Sequence, residues 1–338
     1  VEGAGSLISG DFLLSVGNRG AGNSLTVSGG GAVESSTLYL GRYTTASSNN
    51  TLEISGPGSV LSNSGFLHVG GEAPGNALRI DAGGAVASGA GYMGQSASSS
   101  GNSAVVTGAG SVWTNAGTLY VGNAGAENAL SITNGGAVYG AISTIGAEST
   151  SHSNTMTVTG ADSSLNCTDL SVGGSGSGNR LEVSDGAIVS GRVGYIGRTA
   201  SGSDNVAVVS GAGSLWTNSS FLYVGYEGSD NALVVTNGGR VDAFLGVVVG
   251  EGVVSRGNSV TLDGGTIRAV YPTTGLNLRG GDVTFNDGLF ELHRLQMSSV
   301  EGVFDFNGGT LSSYSAIVNT GRPFIVGDGN RSATFLMS

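Results

Sequence analysis

Residues 108–138 read GAGSVWTNAGTLYVGNAGAENALSITNGGAV, and residues 211–241 read GAGSLWTNSSFLYVGYEGSDNALVVTNGGRV. The two stretches share most of their glycines and asparagines, one tryptophan and the string Leu-Tyr-Val-Gly. Self-similarity of this kind predicts a repeat architecture, in which each repeat buries its apolar face against the neighbouring repeats.

Short apolar strings that end in glycine recur over most of the chain. The intervals between them are 24 to 29 residues, and a shorter and a longer interval alternate in a unit of about 52 residues. The ten glycines are Gly17, Gly41, Gly70, Gly94, Gly122, Gly146, Gly173, Gly197, Gly225 and Gly250. One interval per turn of a solenoid accounts for this spacing.

An asparagine follows each of these glycines six to nine residues later. The ten asparagines are Asn23, Asn50, Asn76, Asn102, Asn128, Asn154, Asn179, Asn205, Asn231 and Asn258. Equivalent residues of successive solenoid turns stack about 4.8 Å apart, so we expect a ladder of amide hydrogen bonds along the axis. The alternative is that asparagine merely tolerates the left-handed backbone conformations of turns.

The segments between these landmarks alternate apolar and small polar residues, as in Leu130-Ser131-Ile132, which is typical of half-buried strands. Glycine-rich corners such as Gly135-Gly136 suggest three strands per turn, and 63 glycines disfavour helix. A leucine-rich repeat would need convex helices, and a propeller would close after four to eight blades. Neither alternative fits as well as a solenoid.

The sequence therefore predicts an all-β fold, a parallel β-helix or β-solenoid. About ten regular turns of 24–29 residues, with alternating lengths near 24 and 28, are expected over residues 1–265. About three less regular turns are expected over residues 266–338, where the periodicity loosens.

Stacking of turns also predicts what each column of side chains does. Leucine and valine of the Leu-Tyr-Val-Gly strings point inward, and Trp113 and Trp216 occupy positions where other repeats have aliphatic residues, so we expect both indoles in the core. An outward column carries aromatic rings that could stack on sugars or form a lateral contact, with plain solvated strand surface as the alternative. Its members are Tyr39, His68, Tyr92, Tyr120, Tyr195 and Tyr223.

Composition excludes several classes of function. Thirteen arginines, no lysine and 24 acidic residues give a net charge of −11, so nucleic acid is not an expected partner. The single cysteine, Cys167, excludes an internal disulfide and is expected to be a small buried residue. Dispersed carboxylates and three histidines in unrelated turns predict no catalytic, metal or cofactor site, and no segment is expected to insert into a membrane.

The elements Gly-Ser-x-Trp-x-Asn, Leu-Tyr-Val-Gly and Asn-Gly-Gly-x-Val of residues 108–138 and 211–241 resemble bacterial autotransporter-associated and PEP-CTERM-associated repeats. The resemblance covers about residues 1–265. It implies export and a β-helical, passenger-like stalk at the bacterial cell surface, with no catalytic signature to carry over.

We therefore expect an extracellular structural protein and not an enzyme. The first residue, Val1, lies inside a repeat and no polar cap is evident, so a fibre or stalk that assembles head to tail with copies of itself is the leading interpretation. The alternative is an adhesin that binds glycans or a neighbouring cell surface through the aromatic column. A polysaccharide lyase or hydrolase is a third, weaker alternative.

Overall fold

The structure is a computed structural model in which residues 1–337 are described. These residues form 33 β-strands and no α-helix. The chain divides into two compact units, Val1–Thr168 and Asp169–Ser338, here called unit 1 and unit 2. Within each unit the chain coils so that every strand pairs in parallel with its equivalent in the adjacent turn.

Unit 1 contains three strands per complete turn, on three faces. In chain order its strands are β1 (Leu7–Ile8), β2 (Leu13–Val16), β3 (Ser24–Ser28), β4 (Ala32–Ser35), β5 (Thr37–Leu40), β6 (Thr51–Ser55), β7 (Val60–Asn63), β8 (Phe66–Val69), β9 (Ala77–Asp81), β10 (Ala85–Ser88), β11 (Ala90–Met93), β12 (Ser103–Thr107), β13 (Val112–Asn115), β14 (Thr118–Val121), β15 (Ala129–Thr133), β16 (Ala137–Ile145) and β17 (Thr155–Thr159), followed by β18 (Ser164–Val172). Face 1 carries β3, β6, β9, β12, β15 and β17. Face 2 begins with β1 and β4, and face 3 begins with β2 and β5. In β16 the strands of faces 2 and 3 are continuous.

Register within a face is regular, and it explains the repeat. On face 1, Ser103–Thr107 pairs residue for residue with Ala77–Asp81 on one side and with Ala129–Thr133 on the other. Because the pairing is in register, these three strands share one alternation. Their second and fourth residues, such as Ala104 and Val106, are buried, and the residues between them are half-buried or exposed. A position that faces the core in one turn therefore faces the core again 24 to 29 residues later, where a similar residue type fits.

Unit 2 begins with the same three-strand turn and then becomes less regular. Its strands are β19 (Arg180–Ser184), β20 (Ile188–Gly191), β21 (Val193–Ile196), β22 (Val206–Ser210), β23 (Leu215–Asn218), β24 (Phe221–Val224), β25 (Ala232–Thr236), β26 (Arg240–Ala243), β27 (Gly246–Val249), β28 (Ser259–Ala269), β29 (Gly275–Leu278), β30 (Gly281–Met297), β31 (Gly302–Phe306), β32 (Gly309–Val318) and β33 (Ala333–Met337). The pairing of β28 with β30 shifts register at Leu262/Asp263. Later turns are shorter, since Gly281 pairs with Gly302.

The core is a continuous apolar interior in each unit. Trp113 and Trp216 are fully buried, as expected, and Phe285 and Phe290 fill the interior of the last turns with their rings perpendicular at 4.9 Å. The predicted fold class, an all-β parallel β-solenoid, is confirmed. The expectation for Cys167 is wrong, because this side chain, in β18, is half-buried and does not belong to the fully buried core.

Candidate functional site

The asparagines singled out in the sequence lie immediately before the first strand of each turn and are hydrogen bonded from turn to turn. Oδ1 of Asn102 accepts from the backbone N–H of Asn76 at 2.9 Å and from its Nδ2 at 3.2 Å. The N–H and Nδ2 of Asn102 donate to Oδ1 of Asn128 at 3.0 and 2.9 Å, and Nδ2 also donates to the Ser99 carbonyl at 3.1 Å. Every polar group of this buried amide therefore has a partner.

The same amide-to-amide bond recurs within each unit at 2.9 to 3.2 Å. Unit 1 holds Asn23, Asn50, Asn76, Asn102, Asn128 and Asn154, and unit 2 holds Asn179, Asn205, Asn231 and Asn258. All are buried except Asn23. Aspartate lacks the Nδ2 donor and glycine lacks both groups, so either residue would leave buried partners unpaired.

Tolerance of left-handed backbone does not explain these asparagines. The positive φ belongs to the residue before each of them, for example Gly101 at +63°, Glu127 at +58° and Asp230 at +59°. The ladder asparagines themselves have negative φ. Their side-chain amides, and not their backbone freedom, account for their presence in every turn.

The glycine that ends each Leu-x-Val-Gly string serves the same ladder. Gly70 has a φ of +78°, and a Cβ there would overlap the amide of Asn102 and the hydroxyl of Ser99. Gly225 in unit 2 has a φ of +73° and stands in the same relation to Asn258. Glycine is thus required for two reasons, the left-handed backbone and the close approach of the amide.

The aromatic column of unit 1 lies on the outer side of face 3. Strand register places Ser15, Tyr39, His68, Tyr92, Tyr120 and Thr144 in one line. The rings of Tyr39 and His68 stack at 4.1 Å, those of His68 and Tyr92 at 5.0 Å, and those of Tyr92 and Tyr120 at 5.0 Å. The structure thus brings four of the predicted ring residues into one stack.

His68 is far less exposed than a free strand face would be. Tyr39 and Tyr92 cover its two ring faces and Phe66 lies 5.9 Å from it, so that its side chain retains 2% of its exposure and neither ring nitrogen has a hydrogen-bond partner. Burial lowers the pKa of His68 to about 4. At neutral pH this imidazole is therefore uncharged and acts as one more flat ring in the stack.

Unit 2 has a shorter column at the equivalent position. Tyr195 and Tyr223 stack at 5.4 Å, and the edge of Tyr226 packs against both rings. The Arg198 guanidinium lies 5.0 Å above Tyr195. Burial and the nearby Glu251 carboxylate raise the pKa of Tyr223, which keeps its hydroxyl neutral. Tyr226 and Phe66 were not singled out in the sequence, because each lies in a different column from the rings it covers.

The acidic residues and histidines are dispersed among the described residues. No three histidine, cysteine, aspartate or glutamate side chains in residues 1–337 come close enough to hold a metal ion. Many arginines pair with a carboxylate nearby, as Arg240 does with Asp242 at 2.6 Å. Within the same residues there is also no helical segment with the length and apolarity of a membrane-spanning helix.

Comparisons with known proteins give few matches. No protein-family model matches this chain, and no curated protein matches it. Among solved structures, the chain is similar to a hyper-glycosylated fragment of TibA, whose glycosylation is catalysed by TibC, with 16% sequence identity, a TM-score of 0.42, and 96% of this chain and 97% of that chain covered. The fold assignment rests on the strand pairing described above and not on this likeness.

Proposed function

We propose that this chain is a structural segment of a protein displayed outside a bacterial cell, a β-solenoid stalk with no catalytic activity. The observation that carries the proposal is the asparagine ladder, because the Oδ1 of each interior amide accepts from one adjacent turn and the N–H of the same residue donates to the other. A structure built in this way gains length by adding turns and needs no separate core for each turn. The resemblance of the repeats to exported surface proteins supports the extracellular location.

The proposal includes head-to-tail assembly of identical chains. In unit 1, Asn23 is exposed, and its Oδ1 accepts no hydrogen bond within the described residues, whereas its Nδ2 donates to Asn50 at 2.9 Å. A further turn stacked on Asn23 could donate a hydrogen bond to this Oδ1. Repetition of such a contact between chains produces a filament when the contact does not close into a ring.

Negative-stain electron microscopy at increasing protein concentration tests the assembly. We expect filaments for the native chain and fewer or shorter filaments for Asn23→Ala. Asn123→Ala is the matched control, because Asn123 donates to the Gln95 carbonyl inside unit 1 and takes no part in the ladder. Single particles at every concentration, or filaments equally affected by both substitutions, would contradict assembly through this ladder.

We propose adhesion to glycans as a second function, and the stacked rings on face 3 favour it. Flat rings at the surface of a rigid sheet offer apolar area at a small cost in side-chain entropy. A glycan array probed with the native chain is the test. Signals on a coherent glycan class are expected, and silence from folded protein would contradict adhesion while leaving the structural proposal intact.

A further inference from the structure

Unit 2 has a pocket of about 170 Å³ lined by residues of β24, β27, β29 and β30. The pocket results from strand register. Phe221 pairs with Gly246 and Gly275 pairs with Arg294, and a Cβ built on Gly246 would meet the Gly275 carbonyl. Two glycines therefore lie side by side between a large ring and a long cationic side chain, and a Cβ at either glycine would overlap the backbone of the adjacent turn.

One wall of this pocket is a tyrosine ring whose stack ends there. Tyr195 covers one face of Tyr223, but the next turn has Val248 at the equivalent position. No ring therefore continues the stack in the next turn, and Tyr223 lines the pocket together with Phe221, whose ring lies tilted at 5.6 Å. An aromatic face beside polar groups suits a ligand with an apolar face and a hydroxylated edge, which describes a sugar ring.

The opposite side of the pocket carries polar groups without partners. Nε of Arg294 and Oγ1 of Thr274 are buried and have no hydrogen-bond partner, and both residues line the pocket. Gln296, from the same strand as Arg294, adds an amide. Buried donors are normally satisfied, so unpaired donors that line a cavity indicate a place for a ligand that accepts hydrogen bonds.

The charges of the pocket favour an anionic ligand. Glu251 and Arg279 also line it, but they form an ion pair at 2.6 Å. Asn277, with Oδ1 turned toward Arg279, accepts from its Nε at 3.0 Å. Among residues 1–337, Arg294 has no carboxylate within ion-pair distance, which leaves one positive charge uncompensated in the pocket.

We propose that this pocket, the Tyr223 pocket, binds a sugar residue that carries a carboxylate, such as a hexuronate unit of an acidic polysaccharide. The sugar ring lies on Tyr223, its carboxylate faces Arg294, and its hydroxyls reach Thr274 and Gln296. A volume of about 170 Å³ is below the ~300 Å³ of pockets for drug-sized ligands, which fits one sugar unit. This inference deepens the second proposed function, glycan adhesion, and rests on it.

Isothermal titration calorimetry with uronate oligosaccharides, and with their methyl esters as uncharged ligands of the same length, tests the proposal. We expect the native chain to bind the acid at least about tenfold more tightly than the ester, because a hydrogen bond to a charged group is lost in the ester. Arg294→Gln should weaken binding of the acid to the level of the ester. Arg322→Gln removes the same charge from another arginine without an ion pair in the described residues, and it should change nothing.

Two further substitutions test the aromatic wall. Val248→Tyr should continue the ring stack over Tyr223, as Tyr120 continues it over Tyr92, and should abolish binding while the fold is kept. Tyr223→Leu should weaken binding about threefold or more, whereas Tyr120→Leu should have no effect. Tyr120 is the matched control, because it also ends a stack and pairs with a residue without a ring, Thr144, in the next turn. That turn has Ile142 at the position that Gly246 occupies in unit 2.

The outcomes separate this pocket from adhesion in general. Binding of the acid that falls to the ester level in Arg294→Gln and disappears in Val248→Tyr, with native circular dichroism and unfolding midpoints, supports the proposal. Saccharide binding that is unchanged by both substitutions overturns the Tyr223 pocket but leaves adhesion standing. Equal binding of acid and ester overturns the role of Arg294. Absence of binding to any saccharide overturns both the pocket and adhesion.

Discussion

Substitution of Asn102 by alanine tests the asparagine ladder at an interior position. The change removes an acceptor that serves the N–H and the Nδ2 of Asn76, at 2.9 and 3.2 Å. It also removes the donor to Oδ1 of Asn128, although that oxygen keeps the N–H of residue 102. Asn76 and Asn128 are both fully buried, so water cannot readily replace the lost partners.

The magnitude follows from the number of unpaired groups. A buried donor without a partner costs about 1–3 kcal/mol. The N–H of Asn76 loses its acceptor, whereas its Nδ2 keeps the carbonyls of Ala73 and Pro74. We therefore expect Asn102→Ala to lower the free energy of unfolding by roughly 1–3 kcal/mol. Since domains are stable by about 5–15 kcal/mol, this is a large fraction of the total.

Asn23→Ala is the matched control within the same ladder. Asn23 is exposed, and Oδ1 of Asn50 keeps the backbone N–H of residue 23 when the Nδ2 donor is removed. No buried donor is left unpaired, so we expect a loss of about 1 kcal/mol or less.

Urea unfolding followed by far-ultraviolet circular dichroism measures both losses. Hydrogen exchange adds a local measurement, because the amide of residue 76 should exchange faster in Asn102→Ala and not in Asn23→Ala. If the two variants differed in unfolding free energy by less than about 0.5 kcal/mol, the ladder would not stabilise the turns as argued.

Three further predictions concern other columns. Gly70→Ala should lower the free energy of unfolding by about 1–2 kcal/mol more than Gly101→Ala, because both have positive φ but only Gly70 lies against the Asn102 amide; equal losses in urea unfolding would contradict the close contact. Trp113→Ala should cost about 3–5 kcal/mol, since the indole is fully buried, whereas Thr114→Ala on the exposed side of the same strand should cost under about 0.5 kcal/mol. For His68 the folded pKa of about 4 lies below the usual 6.5, so stability is complete above pH 6.5 and falls as pH decreases toward 4. The loss should reach about 3 kcal/mol and should be absent from His68→Tyr. Unfolding free energies of the two proteins, measured between pH 6.5 and pH 4, test this prediction. The same pH dependence in both proteins would show that His68 is not buried in the neutral form.

In-register stacking is the reason that so much of the fold is readable in the sequence. Because each residue on face 1 pairs with its equivalent in the next turn, the buried and half-buried positions of Leu130-Ser131-Ile132 recur at a fixed interval. The same constraint makes the ladder asparagines visible as a column. It also places Trp113 beside Val86 and Val138, which explains why an indole and an aliphatic side chain alternate at one core position.

Features that depend on several columns at once were not readable. Alternation places His68 on the outer side of its strand, but its burial comes from the rings of Tyr39 and Tyr92 in adjacent turns and from Phe66. The Tyr223 pocket depends on the pairing of Gly275 with Arg294, which lies in a turn much shorter than the repeat interval. Without regular spacing, the sequence gives no register for such turns.

Display outside the cell is tested most directly with antibodies raised against the folded chain, applied to intact and to permeabilised cells of the organism that produces it. We predict equal labelling of intact and permeabilised cells, as expected for a stalk exposed at the surface. Labelling that appears only after permeabilisation would contradict the account and would place the solenoid inside the cell.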